Sequence, residues 1–431
     1  MSVAASSARR AKELLAPLRD DIIRLLAELV KANTVAIPPN GNEDAGQSVL
    51  AEFLRTYSVD TEVYETDFIT ASGHRCVRRD RDYRGRRNVL ARIGGAGRGR
   101  SVLFNGHMDT VPEGHGQWTG SPWSGVVRDG RLFGRGSFDM KGGLAAQFGA
   151  ICALRKHGIR PGGDVYAESV VDEEWGGGGG TLAARLHGPT ADACVIPEGT
   201  QMEVFLATRG GAVIDIACEA GNAAGYFSSG EVVSPAIAMG RLLGWVDTWV
   251  ARRKSVTPHE AYRGFDDPTP VQVLAVEANR FDMTEPYSVP LTAAVRVYFQ
   301  FMPDEQEERV LTEVRASLDA FCRDDPFFRD HPLSWKLAYD PPLQGHALAP
   351  DHDWSRCFVD CATATLGTPV KVTAAPYPCD AGLVQREFGI PTLLFGPRGA
   401  GAHNPDEYVE VPSVLDTAAT LLAAALEWCG A

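Results

Sequence analysis

Asp164-Val-Tyr-Ala-Glu-Ser-Val-Val-Asp172 is an apolar run that leads directly into two consecutive carboxylates, Glu173 and Glu174. The run predicts a buried strand over residues 164–171. Because neighbouring side chains of an extended chain point in opposite directions, one glutamate can bind a metal ion while the other stays free to take a proton from metal-bound water. The stretch therefore predicts a strand that delivers hydrolytic groups to a site.

Strands and helices alternate on both sides of this run. Strands near residues 101–104 and 193–196 flank it, and helices are expected near residues 142–157 and 181–186. Such alternation is typical of an α/β layered domain. We expect a catalytic domain with a central mixed sheet flanked by helices.

The pattern changes after Arg209-Gly-Gly211. A strand, a helix, two further strands and a second helix follow one another, which predicts a small β-α-β-β-α sandwich. In this order the elements lie near residues 212–218, 235–252, 271–277, 292–301 and 305–321. A chain of 431 residues is also too long for one ordinary core. We therefore expect a catalytic domain in two parts, residues 1–208 and 331–431, interrupted by an α+β domain of residues 209–330.

Other metal-binding residue types stand at strand ends and in glycine-rich turns. Ser101-Val-Leu-Phe-Asn-Gly-His-Met-Asp109 predicts a strand that runs into a turn, which places His107 and Asp109 on one face. A metal-binding imidazole usually gives its other nitrogen to a carboxylate or carbonyl, so Asp109 is the candidate that orients His107.

Asp139 lies among small residues, in the stretch 132–143, just before the helix expected near residue 144. The partial positive charge of a helix N-terminus favours an ionised carboxylate, so Asp139 is a candidate to bridge two cations. Glu198 and His403 complete the candidate ligands. The apolar stretch Ile390-Pro-Thr-Leu-Leu-Phe-Gly396 returns the chain toward His403.

Four blocks of the chain resemble, in order, the M20 family of metallopeptidases and deacylases, which includes acetylornithine deacetylases, succinyl-diaminopimelate desuccinylases, aminoacylases and glutamate carboxypeptidases. The blocks are Gly106-His-Met-Asp-Thr-Val-Pro112, Gly134-Arg-Gly-Ser-Phe-Asp-Met-Lys-Gly-Gly143, Val171-Asp-Glu-Glu-Trp-Gly176 and Gly401-Ala-His-Asn-Pro-Asp-Glu407.

The resemblance implies two divalent cations, one held by His107, Asp139 and Glu198 and the other by Asp139, Glu174 and His403. It implies that Glu173 is the general base and that Asp109 orients His107. It also implies a non-proline cis peptide after Asp139 and a homodimer, or a larger assembly, formed through the inserted domain. Zinc suits these mixed ligands best, and cobalt or manganese suits the same set.

Two positions in the inserted domain depart from the family pattern. The stretch Gly221-Asn-Ala-Ala-Gly-Tyr-Phe-Ser-Ser-Gly230 lacks the histidine that the family uses near the developing oxyanion. Gln300 stands where the family has an arginine that binds a substrate carboxylate, and a neutral amide cannot form that bidentate ion pair. Arg296 and Arg398 are candidate substitutes, and Glu198 favours the deacylase side of the family.

Three functions are compatible with these residues. The leading interpretation is hydrolysis of the amide bond of an N-acyl amino acid or small peptide, by Glu173-assisted attack of metal-bound water. The second is a metal-dependent aminohydrolase that removes an amine from an unusual, for example aromatic, small acid. The third is a binding protein that has lost catalysis.

Three further segments favour structural interpretations. The stretch 176–180 lacks the Lys-Ser/Thr of a P-loop and is interpreted as a flexible turn beside the site. The glycines of 94–99 precede a strand rather than a helix, which predicts a loop between strands. The arginines of 75–87 are interleaved with Asp80 and Asp82, which predicts a solvated, mixed-charge loop or hairpin.

Composition narrows the class of protein. The net charge of −13 argues against nucleic acid as a partner, and no stretch approaches twenty apolar residues, so no membrane partner is expected. Nine cysteines without Cys-x-x-Cys spacing predict neither disulfides nor a zinc ribbon. Residues 1–31 predict an amphipathic helix without the apolar centre of a signal peptide. We expect a cytoplasmic enzyme that acts on a small molecule.

Overall fold

The computed structural model describes residues 2–219, 234–278 and 291–430, and the chain divides into two compact units. Unit 1 comprises Met1–Thr208 and His346–Ala431, and unit 2 comprises Arg209–Gly345. The second boundary was expected after residue 330, but it lies after Gly345. The reason is that the strand Ser334–Leu337 pairs with Gly210–Glu219 and so belongs to the sheet of unit 2.

An eight-stranded mixed sheet forms the centre of unit 1, which confirms the expected fold class. Val102–His107 runs parallel to Val165–Val170, which in turn pairs antiparallel with Arg87–Ile93. In spatial order the strands are Val372–Thr373, Val204–Phe205, Thr392–Leu394, Cys194–Ile196, Val102–His107, Val165–Val170, Arg87–Ile93 and Asp60–Glu65. The central strands are buried along their whole length, because helices cover the sheet.

The alanine-rich helix Gly142–Lys156 is buried over its first thirteen residues and packs against Val411–Cys429. The other helices of unit 1 are Val3–Leu15, Arg19–Lys31, Asp44–Thr56, Thr181–His187, Asp353–Leu366 and Ala381–Phe388. One helix was expected over residues 1–31, and two are found, separated by the short turn Ala16–Leu18. Pro17 explains the break, because its ring removes a backbone N–H donor and clashes with the preceding turn.

Short strand pairs complete unit 1. Ala36–Ile37 pairs with Asn40–Gly41, and Ala207–Thr208 pairs with His346–Ala347. A small antiparallel sheet contains, in spatial order, Gly399–Ala400, Tyr408–Glu410, Arg131–Phe133 and Val126–Arg128. The hairpin loop between Gly399–Ala400 and Tyr408–Glu410 carries His403.

Unit 2 is a four-stranded antiparallel sheet with its helices packed on it. The spatial order of the strands is Val271–Glu277, Thr292–Phe301, Gly210–Glu219 and Ser334–Leu337, and the helices are Pro235–Lys254, Glu307–Asp324 and Pro326–Asp330. Trp249 and Phe299, both buried, meet edge to face in its core. The segment 221–230, where the family histidine is missing, lies outside the described residues.

No helix in the described parts of the chain combines the length and the apolar character that crossing a bilayer requires.

Candidate metal centre

His107 is the last residue of the strand Val102–His107, and its ring is almost completely buried. Its Nδ1 lies 2.9 Å from the carbonyl oxygen of Asp109. A carbonyl can only accept a hydrogen bond, so Nδ1 carries the proton. The other nitrogen, Nε2, therefore turns its lone pair toward carboxylate oxygens of Asp139, at 3.2 Å, and of Glu198, at 3.5 Å. A nitrogen lone pair and carboxylate oxygens that converge in this way form the set of ligand atoms that a cation site requires.

Asp139 lies at the middle of the site. Its Oδ1 faces His107, and its Oδ2 lies 3.2 Å from Nε2 of His403. The peptide bond between Asp139 and Met140 is cis, as the family resemblance implied. One carboxylate thus offers an oxygen to each of two histidines.

Glu407 fixes the turn that carries Asp139. Its Oε1 accepts the backbone N–H groups of Phe138 and Asp139, at 2.9 and 3.0 Å, and its Oε2 accepts Nη1 of Arg135 at 2.7 Å. Burial raises the pKa of Glu407 to about 7, and the backbone N–H groups of Asp139 and Gly136 partly offset the effect. No role was expected for Glu407, although this residue closes the last of the four blocks.

Asp109 fixes the two consecutive glutamates. Its Oδ1 accepts the backbone N–H of Glu173 at 3.2 Å, and its Oδ2 accepts that of Glu174 at 3.1 Å. The Asp109 carboxylate also lies 3.6 Å from Nδ1 of His107. A single buried carboxylate therefore links the end of the strand that carries His107 to the turn that carries the glutamate pair.

The two glutamates differ in what they face. Oε2 of Glu174 lies 3.0 Å from Nε2 of His403, whereas Oε2 of Glu173 lies 3.9 Å from Nε2 of His107. His403 is half exposed, and its backbone is left-handed, with φ at 60°. Glu198 follows the strand Cys194–Ile196 and is buried.

The structure brings all seven predicted site residues together in unit 1. Two groups have ligand atoms within 4.8 Å of one another: His107, Asp139 and Glu198, and Asp139, Glu174 and His403. These are the two sets that the family resemblance implied, and Glu173 belongs to neither.

The electrostatics of the site fit bound cations. Burial raises the pKa of Glu173 and Glu174 above their usual range and that of Glu198 to about 8, and neighbouring carboxylates add to each shift. The negative charge of Glu174 is the main cause that raises the pKa of His403 to about 11. Buried carboxylates this close require compensating positive charge, which divalent cations would supply.

A third cluster, His74, Cys76 and Glu387, has the residue types of a metal site but an unsuitable arrangement. Nδ1 of His74 accepts the backbone N–H of Cys76 at 3.2 Å, so the neutral ring carries its proton on Nε2, the nitrogen that faces Glu387. Glu387 also accepts Nε of Arg75 at 3.3 Å. We assign no cation to this cluster.

A cavity of about 270 Å³ opens beside the two ligand groups. Apolar and aromatic side chains, among them Phe138, Tyr377 and Ala402, form much of its wall. The Tyr377 hydroxyl lies 3.4 Å from the Gly199 carbonyl, to which it donates. Tyr377 was not predicted to lie at the site, because no local pattern in the sequence marks it. The cavity has room for a small acyl or amine group next to Glu173.

The arginine-rich segment 75–87 is only in part the solvated loop that was expected, since Arg79 and Arg84 are exposed but three other arginines are not. Arg78, Arg81 and Arg86 are buried in unit 1, where aromatic rings and acidic side chains surround them. The adjacent stretch 176–180, for which a flexible turn was expected, is largely buried. Alternating charge in the sequence could not reveal these partners, because most of them lie far away along the chain.

Comparison with known proteins gives one family. A sequence model described as peptidase family M20/M25/M40 matches residues 103–428. The chain is 25% identical over 447 residues to N-formyl-4-amino-5-aminomethyl-2-methylpyrimidine deformylase of Halalkalibacterium halodurans, and the alignment covers 97% of each chain.

Solved structures share the fold. The dipeptidase Dug1p from Saccharomyces cerevisiae superposes with a TM-score of 0.75 at 16% identity, and the match covers 100% of both chains. The YXEP protein of Bacillus subtilis, described as a dinuclear metal-binding peptidase from the M20 family, has a TM-score of 0.59 at 14% identity and covers 96% of this chain and 99% of its own.

Proposed function

Because the chain belongs to peptidase family M20/M25/M40, a family of hydrolases that act on carbon–nitrogen bonds, we propose that it cleaves the amide bond of an N-acyl amino acid or small peptide with the help of two divalent cations. The observation that carries the proposal is the position of Asp139, which offers one oxygen to each of two ligand groups. Dinuclear hydrolases use such a bridging carboxylate to hold their cations a few ångströms apart.

The proposed ligands follow the two groups. His107, Asp139 and Glu198 would hold one cation, and Asp139, Glu174 and His403 would hold the other. Imidazole and carboxylate donors suit zinc best, and cobalt and manganese also accept them.

Glu173 is the proposed general base. When bound, the cations would polarise the substrate carbonyl and lower the pKa of water. Glu173 accepts the proton of the attacking water and returns it to the leaving nitrogen. Its raised pKa, caused first by burial, makes it a stronger base than an exposed glutamate. Asp109 supports this role by holding the backbone N–H of Glu173.

A second candidate substrate is an N-acyl amine that carries no α-carboxylate. Gln300 occupies the position where the family pattern has an arginine, and both ends of its amide are engaged within unit 2. Its Oε1 accepts Nη1 of Arg209 at 2.7 Å, and its Nε2 donates to the Tyr298 hydroxyl at 2.6 Å. The similar deformylase is named for a substrate of this second kind, a formylated aminomethylpyrimidine.

We further propose that the protein forms a homodimer through unit 2. Within the described residues, Val271–Glu277 is an edge strand that pairs only with Thr292–Phe301. Val273, Leu274 and Val276 on this strand are exposed, and an exposed apolar edge is a site where a second strand can add. Cytoplasmic residence is also proposed, and it is supported by nine cysteines that form no disulfide.

Metal removal tests the proposal. Purified protein should contain about two divalent cations per chain, lose amide hydrolysis on dialysis against a chelator, and regain it with zinc, cobalt or manganese. A substrate panel of N-acetyl amino acids, dipeptides and N-formyl amines distinguishes the substrate classes, and release of ammonia instead would indicate an aminohydrolase. Full activity in protein from which all metal has been removed would refute the mechanism.

A further inference from the structure

The turn that presents Glu173 and Glu174 begins at Asp172, a residue to which the proposed function assigns no role. Asp172 is almost completely buried, and its backbone is left-handed, with φ at 68°. This conformation reverses the chain immediately after the strand Val165–Val170. An L-residue adopts it only where its surroundings stabilise it, and aspartate is among the residues that tolerate it best.

Both carboxylate oxygens of Asp172 have buried partners. Oδ1 accepts Nη1 of Arg86 at 3.1 Å, and Oδ2 accepts the hydroxyl of Tyr83 at 3.0 Å and the backbone N–H of Gly179 at 3.4 Å. Nε of Arg81 lies 3.8 Å from Oδ1. The side chain is thus held on one side by the arginine-rich segment and on the other by the glycine-rich turn.

Arg86 connects this cluster to a helix. Its guanidinium forms an ion pair with Glu43, in which Nε and Oε2 lie 3.2 Å apart, and Glu43 directly precedes the helix Asp44–Thr56. Both side chains are buried. A planar guanidinium that bridges two carboxylates holds them at fixed positions, which a flexible ammonium group does not.

The packing around Tyr83 leaves the turn little freedom. A Cβ atom on Gly179 would overlap the Tyr83 ring, and one on Gly176 would overlap the guanidinium of Arg78. The backbone carbonyl of Asp172 also accepts the N–H of Gly177 at 2.8 Å. Together with the Asp109 carboxylate, which holds the N–H groups of the next two residues, these contacts fix the peptide that carries the proposed base.

We propose that Asp172, held by Arg86 and Tyr83, is a positioning residue that sets the place of the Glu173 carboxylate in the reaction. The inference rests on the proposed function, in which Glu173 is the base. It gives the arginine-rich segment a role in catalysis, although none of its side chains needs to touch the substrate.

The substitution Asp172→Asn tests the inference with almost no change of volume. Asparagine also tolerates the left-handed conformation, so the backbone is not penalised. The variant loses the charge that pairs with Arg86 and places an amide N–H₂ where an acceptor is required. We expect kcat to fall by about ten- to a hundredfold, because a small displacement of a catalytic group is enough for such a loss. KM and a metal content of two cations per chain should stay close to the wild-type values.

Tyr83→Phe is the second variant, and it removes only one hydroxyl. We expect a smaller loss of kcat, and no further loss when Tyr83→Phe is added to Asp172→Asn, because Tyr83 acts through Asp172. Matched controls are Tyr166→Phe and Asp164→Asn, since the Tyr166 hydroxyl donates to Asp164 at 2.6 Å at the opposite end of the same strand. These controls should keep wild-type kcat.

The outcomes separate the two proposals. If the wild-type protein hydrolyses amides and Glu173→Gln does not, but Asp172→Asn and Tyr83→Phe keep wild-type kcat, the positioning role is wrong and the proposed function stands. A fall in the melting temperature without a fall in kcat would likewise reduce the cluster to a structural role. If Glu173→Gln retains turnover, the proposed function fails first.

Discussion

Among single residues, Glu173 is the proposed base, and it belongs to neither of the two candidate ligand groups. We expect Glu173→Gln to lower kcat by about 10²- to 10⁴-fold, the usual contribution of a general base. Metal content, measured by elemental analysis, should stay at two cations per chain. Glu174→Gln provides the contrast, since it should lose metal as well as activity. A Glu173→Gln variant with wild-type turnover would exclude Glu173 as the base.

The protonation of His346 should make the free energy of unfolding depend on pH. Burial lowers its pKa from 6.5 to about 4. Its Nδ1 accepts the Thr208 hydroxyl at 2.9 Å, and its Nε2 donates to the Thr392 carbonyl at 3.1 Å. Between these two pKa values the unfolded chain binds a proton that the folded chain does not, so stability is lost as the pH falls through this range.

When the pH is lowered from 8 to 5, we therefore expect the free energy of unfolding to decrease in the wild type. This decrease should be about 2 kcal/mol larger than the decrease in the His346→Gln variant. Urea denaturation of both proteins without metal measures the difference. Equal decreases in the two proteins would show that His346 takes up its proton normally in the folded state.

The candidate ligands and one supporting residue, Asp109, were predictable from the sequence, whereas the other supports were not. His107, Asp139 and the glutamate pair each lie in a local block whose spacing indicates a strand end or a tight turn. Glu407 and Arg86 act on residues that are distant along the chain, so no local pattern identifies their partners. The roles of such residues become visible only when the folded chain brings them together.

Among the elements, the helix Gly142–Lys156 depends on close approach to the segment that carries Glu198. A Cβ atom on Gly143 would overlap the backbone carbonyl of Pro197, which cannot move aside as a side chain could. We expect Gly143→Ala to lower the free energy of unfolding by about 1–3 kcal/mol and to weaken metal binding. Gly244→Ala is the control, since nothing lies within 4 Å of its Cβ position in the helix Pro235–Lys254.

The control should be neutral or stabilise the protein by about 0.5–1 kcal/mol, because alanine is the better helix former. Thermal unfolding and metal titration measure both variants. Wild-type stability and metal affinity in Gly143→Ala would show that the helix can shift without disturbing the site.

Most of the elements that were predicted lie close to their observed bounds, because apolar runs indicate them, but others, such as the helices Asp44–Thr56 and Asp353–Leu366, were not predicted. The strands Val271–Glu277 and Thr292–Phe301 were predicted without error. Ser334–Leu337 was missed, since its residues are alternately exposed and only partly buried, and its place is decided by pairing with Gly210–Glu219. Short edge strands of this kind depend on their neighbours more than on their own composition.

For the whole molecule, the edge strand of unit 2 predicts how copies associate. We expect Leu274→Lys combined with Val276→Lys to convert a dimer to a monomer, because buried lysines would oppose pairing of two such edges. Light scattering after size-exclusion chromatography measures the molar mass. Val127→Lys, at an exposed position in unit 1, is the matched control and should leave the mass unchanged. A wild-type protein that is monomeric at all concentrations would contradict the proposed dimer.

The order in which the chain is synthesised has a consequence for the site. His107, Asp139 and Glu198 precede unit 2, whereas His403 and the strand Thr392–Leu394, which lies between Val204–Phe205 and Cys194–Ile196 in the sheet, follow it. A nascent chain that has left the ribosome only as far as residue 345 lacks His403, and it also lacks Glu407, which holds the backbone of Asp139. Assembly of the proposed dinuclear centre therefore has to wait for the segment that follows unit 2.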